Sequence, residues 1–112
     1  MSFSKSIAKS VTVSSGQQLS ESVSTDGMLL AGIICPATLT GTALTFDFSL
    51  DNTTFVDVVE TNGTAVSYTV TAGDVVRVDP SGWAFASTGF LRVVSDSSEA
   101  ADRTINLIFK QS

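Results

Sequence analysis

Histidine is missing from these 112 residues, and cysteine occurs once, at Cys35. Without imidazole the chain can build neither a Ser-His-Asp nor a Cys-His nucleophile, and it lacks the commonest zinc ligand. One thiol makes no disulfide within the chain and no thiolate metal site. Lying in an apolar run, Cys35 reads as a buried, inert side chain. Positive charge is also scarce: six Lys and Arg face eleven Asp and Glu, a net charge of -5. The six are scattered, so nothing gathers the charge needed to displace counterions from a phosphate backbone, and nucleic acid is excluded as a partner. No Gly-rich phosphate loop follows a strand and opens a helix. Long apolar runs are lacking too. The longest, Met28 to Cys35, is too short to span a bilayer, and no membrane partner is expected. The opening MSFSKSIAKSV has no apolar stretch of signal-peptide length, which predicts synthesis in a cytoplasm. The Asn-X-Thr sequons at Asn52 and Asn62 are accordingly read as turn residues.

What is present is alternation. Hydrophobic residues make up 43% of the chain and charged residues 15%, a globular composition long enough for one core. Leu44, Phe46, Phe48 and Leu50 alternate with Thr45, Asp47, Ser49 and Asp51, and Val66, Tyr68 and Val70 with Ser67, Thr69 and Thr71. Ile105, Leu107 and Phe109 repeat the pattern. Period two places one face on a core and the other toward solvent. Asp51-Asn52, Asn62-Gly63, Ala72-Gly73-Asp74 and Asp96-Ser97-Ser98 punctuate these runs as turns. Strands are predicted near 7–13, 18–24, 28–35, 43–50, 54–60, 65–71, 75–79, 90–95 and 103–110. Asp79-Pro80 can cap and open one short helical turn near 80–85. Eight or nine short antiparallel strands imply an all-β, antiparallel β-sandwich or jelly roll. Residues 1–10, rich in Ser and Lys, read as an extended N-terminal arm, and 11–112 as a single β-sandwich domain.

Three features bear on function. MLLAGIIC is apolar on both faces, with Met28, Leu30 and Ile34 on one and Leu29, Ala31 and Ile33 on the other. Either a loop or terminal segment covers its outer side, or a second subunit does. Trp83 and Phe85 lie between strands, where they either plug one end of the sandwich or, with Tyr68, offer a ligand platform. Asp47, Asp51 and Asp57 fall near one hairpin and Asp74 and Asp79 near another. A glycosidase pair would need a cleft and one raised pKa, and these positions read instead as a solvated face. LDNTT lacks the spaced acids of a calcium loop. No catalytic, cofactor-binding or metal-binding residue is assigned, and no small-molecule ligand is expected.

Two resemblances follow from these stretches. SLDNTTFVDV with the later FLRVVSD resembles the turn and the Arg-bearing strand of galactose-binding-like, discoidin-type sandwiches, with Asn52 in place of the usual Gly. The order VTVSSGQQLSESV, MLLAGIICPATLTGTALTFDFSLDNTTFVDV, VTAGDVVRVDPSGWAF, FLRVVSDSSEAADRTINLIF resembles the capsid decoration, or cement, proteins of tailed bacteriophages, small all-β proteins with a jelly-roll core. The second resemblance spans most of the chain. It implies a non-enzymatic virion component on the capsid surface, a homo-oligomer (a trimer), bound to the major capsid protein. The interface residues expected on that reading are Phe3, Lys5, Ile7, Leu29, Ile33 and Ile108. The alternative is a carbohydrate-binding module of a phage tail or adhesin, with Trp83 and Tyr68 as contacts. SLDNTTFVDV is expected to be a hairpin whose Asp51 and Asn52 serve turn geometry.

Overall fold

A computed structural model describes residues 5–111. The chain forms β1 (Ser6–Val13), β2 (Leu19–Ser24), β3 (Met28–Ile34), β4 (Ala43–Ser49), β5 (Val56–Asp57), β6 (Ser67–Thr69), β7 (Val75–Arg77), a 3-10 helix (Pro80–Ala86), β8 (Phe90–Ser95) and β9 (Arg103–Gln111). All pairings are antiparallel and run β5-β4-β8-β2-β1-β9-β3-β7, with β6 also beside β4. Between β1 and β2 only Val13 and Ser20 pair, so the path folds there into two sheets, β1-β9-β3-β7 and β2-β8-β4-β5. These two strand orders are those of a jelly roll, the sandwich type that the second resemblance implied. Val11, Val13, Leu30, Ile33, Ile105, Leu107 and Phe109 from one sheet meet Leu44, Phe46, Leu91 and Val93 from the other, all essentially inaccessible. Each such side chain contributes roughly 1.5–3 kcal/mol by leaving water.

Four expectations are corrected. Residues 6–10 are not an arm: β1 begins at Ser6 and pairs with β9 without interruption from Ser6↔Lys110 to Val13↔Arg103. The Ser and Lys content misled because Ser6 and Ser10 occupy the outer face, where polarity costs nothing. In β3 a bulge at Ala31 shifts the register, Leu30 opposing Phe109 and Gly32 opposing Ile108. One extra residue reverses every later side chain, so Ile33 and Cys35 turn inward and Ile34 outward. The strands expected at 54–60 and 65–71 shrink to β5 and β6, two parts of one edge strand along β4. Between them the chain leaves the sheet as a hairpin, bridged at Val59↔Ala65 and closed by Gly63 at φ 86°. Finally, Asp47 is not solvated. It is buried beside Arg92, whose guanidinium lies over Phe55.

The polar β2 survives because a bulge between Leu19 and Ser22 turns Ser20 inward. There the Ser20 hydroxyl accepts the Val93 N–H at 2.8 Å and donates to the Glu21 carbonyl. The loop ends are pinned by side chains. Asp51 accepts the Thr53 and Thr54 N–H groups, each at 2.9 Å, and the Ser49 hydroxyl, while Asn52 takes φ 61°. The hairpin reading of SLDNTTFVDV therefore holds. At the opposite end the β8–β9 loop is clasped by Glu99, buried with both oxygens occupied. They accept N–H groups of Thr40 and Gly41, the Ser95 hydroxyl and the Arg103 guanidinium at 2.8–3.0 Å.

Candidate functional site

The site is built where the 3-10 helix meets the β5–β6 hairpin. Asp79 caps the helix through the Ser81 N–H and hydroxyl, and Pro80 opens it. The helix then delivers Trp83 into the end of the sandwich. Trp83 is buried, edge-on to Phe46 at 5.0 Å, stacked on Phe85 at 5.7 Å, and its indole N–H donates to the Tyr68 hydroxyl at 2.9 Å. It is a plug, the first of the two readings of the sequence. Its rings are spent on protein contacts, so Trp83 offers no open face for a sugar. Tyr68 is half-buried, and Phe85 alone of this stack is largely exposed, at 54%.

Beside the plug lies a cleft of about 410 Å³. Val58, Val59 and Val66 form an apolar wall, Tyr68, Trp83 and Phe85 contribute ring edges, and Glu60 and Asp79 bring carboxylates. The Tyr68 hydroxyl is pushed above the usual phenol range, first by burial and further by the charges of Glu60 and Asp79, against the opposing hydrogen bond from Trp83. Glu60 and Asp79 are the charged residues of the cleft lining, which includes no basic side chain. A second groove shares its rim, lined by Phe48, Val56, Val59 and Phe85, and Leu50 continues the same band on the other side of Val56. Leu50 is 77% exposed, Val56 60% and Val59 50%. An apolar band thus runs along the sheet edge next to the cleft that carries Glu60 and Asp79.

Across the chain's whole length this architecture has a solved counterpart. A crystal structure described as the SPBc2 prophage-derived protein YomS superposes with a TM-score of 0.63 over 99% of this chain and 97% of that one, at 11% sequence identity. The likeness is one of fold. No protein-family model matches the chain, and no curated protein matches it.

The interface residues expected from sequence are dispersed. Phe3 lies outside the described residues. Ile33 is fully buried and belongs to the core, a consequence of the Ala31 bulge. Ile7 is 42% exposed but shares the inner face of β1 with Val11 and Val13, near the sandwich end. Lys5 is exposed just before β1. Leu29 and Ile108, both half-buried, do share the outer face of the β1-β9-β3-β7 sheet, where Ile34 and the exposed Val75 join them. Leu50, Val56 and Val59 were missed. Leu50 continues the inward parity of β4, and only the early end of the sheet leaves it uncovered. Glu99 was missed as well, since its role depends on backbone N–H groups roughly sixty residues earlier in the chain.

Proposed function

We propose that this chain is a phage-related structural protein, a head decoration component that binds the major capsid protein and strengthens the shell by bridging its subunits. The observation that carries the reading is the full-length jelly-roll likeness to a prophage-derived protein. The apolar band along the β5 edge supports it, as does a sequence without histidine or a second thiol. On this reading the protein acts by covering surface. A partner that binds only the assembled shell stabilises it by RT ln(1 + [L]/Kd) per site, about 2.7 kcal/mol at a hundredfold excess over Kd. The test is to add the purified protein to undecorated heads of its own phage and heat them. Decorated heads are expected to rupture at higher temperature, saturably with protein concentration. Equal heat resistance with and without the protein would sink the reading.

A further inference from the structure

We propose that the cleft between the β5–β6 hairpin and the 3-10 helix receives a lysine or arginine side chain presented by an apolar-surfaced partner protein. The identity of that partner as the shell protein rests on the function proposed above; the chemistry of the cleft does not. Among the described residues the ion pairs are Lys9–Asp26, Arg92–Asp47 and Arg103–Glu99, so neither Glu60 nor Asp79 has a cation. The cleft supplies the parts a basic side chain needs: apolar walls at Val58, Val59 and Val66 for its aliphatic stem, and carboxylates for its head. The exposed ring of Phe85 adds a face against which a cation is attracted.

The molecule already uses this combination internally. Arg92 lies 4.2 Å from the Phe55 ring centroid while its Nε donates to Asp47 at 2.9 Å. In the cleft, ring and carboxylates are present, and no cation among the described residues pairs with them. No basic side chain is among the residues that line the cleft. The collar of Leu50, Val56 and Val59 favours a protein over a free amine, because a small ligand would leave that apolar surface wet. A sugar is disfavoured by the burial of Trp83, the broadest ring available.

The probe is the peptide acetyl-Val-Arg-Val-amide, with acetyl-Val-Gln-Val-amide as its uncharged counterpart. Binding is followed by NMR on the indole N–H of Trp83, the single tryptophan of the chain. The arginine peptide is expected to shift that signal saturably and the glutamine peptide to bind at least about fivefold more weakly. Glu60→Gln with Asp79→Asn should weaken the arginine peptide by a similar factor, and Asn at 79 still caps the helix. Gly82→Leu adds bulk at a residue of the cleft lining where a Cβ meets nothing within 4 Å, and should weaken the arginine peptide further. Equal affinity for the two peptides, or an unchanged affinity in the double variant, overturns the proposal. Saturable binding of a galactose or glucose oligomer, indifferent to the double substitution, overturns it in favour of a sugar. Peptide binding without head binding would leave the cleft standing and remove the capsid reading. Heads bound equally by wild type and the double variant would do the reverse.

Discussion

At the scale of single residues, two acids respond to pH in opposite directions. Burial alone would raise the Glu99 carboxyl. The Thr40 N–H, the Ser95 hydroxyl, the Gly41 N–H and Arg103 outweigh it and hold the group below its usual value of 4.5. A folded pKa below the unfolded one adds stability that is complete above the unfolded value and disappears as pH falls through the folded one. Glu99→Gln should therefore flatten the loss of urea midpoint as pH falls below the ordinary carboxylate value of 4.5. Glu99→Ala strands two N–H groups and a guanidinium, and should cost about 3 kcal/mol or more at pH 7. Asp47 has the other sign. Burial raises it, Arg92 pulls it back, and the neighbouring Asp57 raises it again. Its ionised form thus opposes folding above its raised pKa, and its contribution improves as pH falls through that value. Asp47→Asn, which keeps an acceptor for Arg92, should leave the melting temperature at pH 7 unchanged or higher. A marked drop would show that the charge itself holds β4 to β8.

At the scale of elements, β1 decides how the N-terminal segment behaves. Residues Ser6 to Lys9 contribute four of the eight β1–β9 pairs. Lys9 also spans the gap to the β2–β3 turn, donating to the Ser24 carbonyl at 2.7 Å and pairing with Asp26. It also lies over the Phe109 ring at 5.9 Å. Deleting residues 2–9 should therefore lower the melting temperature by several degrees and speed hydrogen exchange along β9. An arm would have left both unchanged. The turn at Asp26-Gly27, with φ of 52° and 77° and the Met28 N–H on the Thr25 carbonyl at 2.9 Å, carries the chain from β2 in one sheet to β3 in the other; the two strands do not pair, so it is a corner and not a hairpin. The Asp51-Asn52 loop and the capped helix at Asp79-Pro80 were legible in the sequence because their chemistry lies within a few residues. The bulge at Ala31 has no such local signature, so the two faces of MLLAGIIC could not be assigned from sequence.

At the scale of the whole molecule, two partly apolar surfaces face solvent, one on each sheet. The band around Leu50, Val56 and Val59 borders the acidic cleft, and the outer face of β1-β9-β3-β7 carries Leu29, Ile34, Val75 and Ile108. The second is partly apolar, and self-association is proposed to run through it. A stable interface buries about 800 Å² per partner, more than these four side chains alone supply. Their polar neighbours must therefore be covered as well. Light scattering at micromolar concentration should report an oligomer, and Ile108→Lys with Leu29→Lys should reduce it to a folded monomer. A wild-type monomer under those conditions would count against a trimer.

The strand pattern, the all-β class, the hairpin turns and the absence of imidazole and paired-thiol chemistry follow from neighbours in the chain. Alternation, turn propensity and composition are local, and they survive whatever the strands later pair with. The functional surface is different. Whether Leu50 is covered, whether Trp83 faces solvent, and whether Ile33 is core or surface depend on where a sheet ends and where one bulge reverses its faces. Glu99 becomes a clasp only when the loop at Thr40-Gly41 arrives beside it, and Glu60 meets Asp79 across a cleft only because the β5–β6 hairpin leaves the sheet. Those juxtapositions join residues about twenty to sixty positions apart, which packing of the two sheets decides.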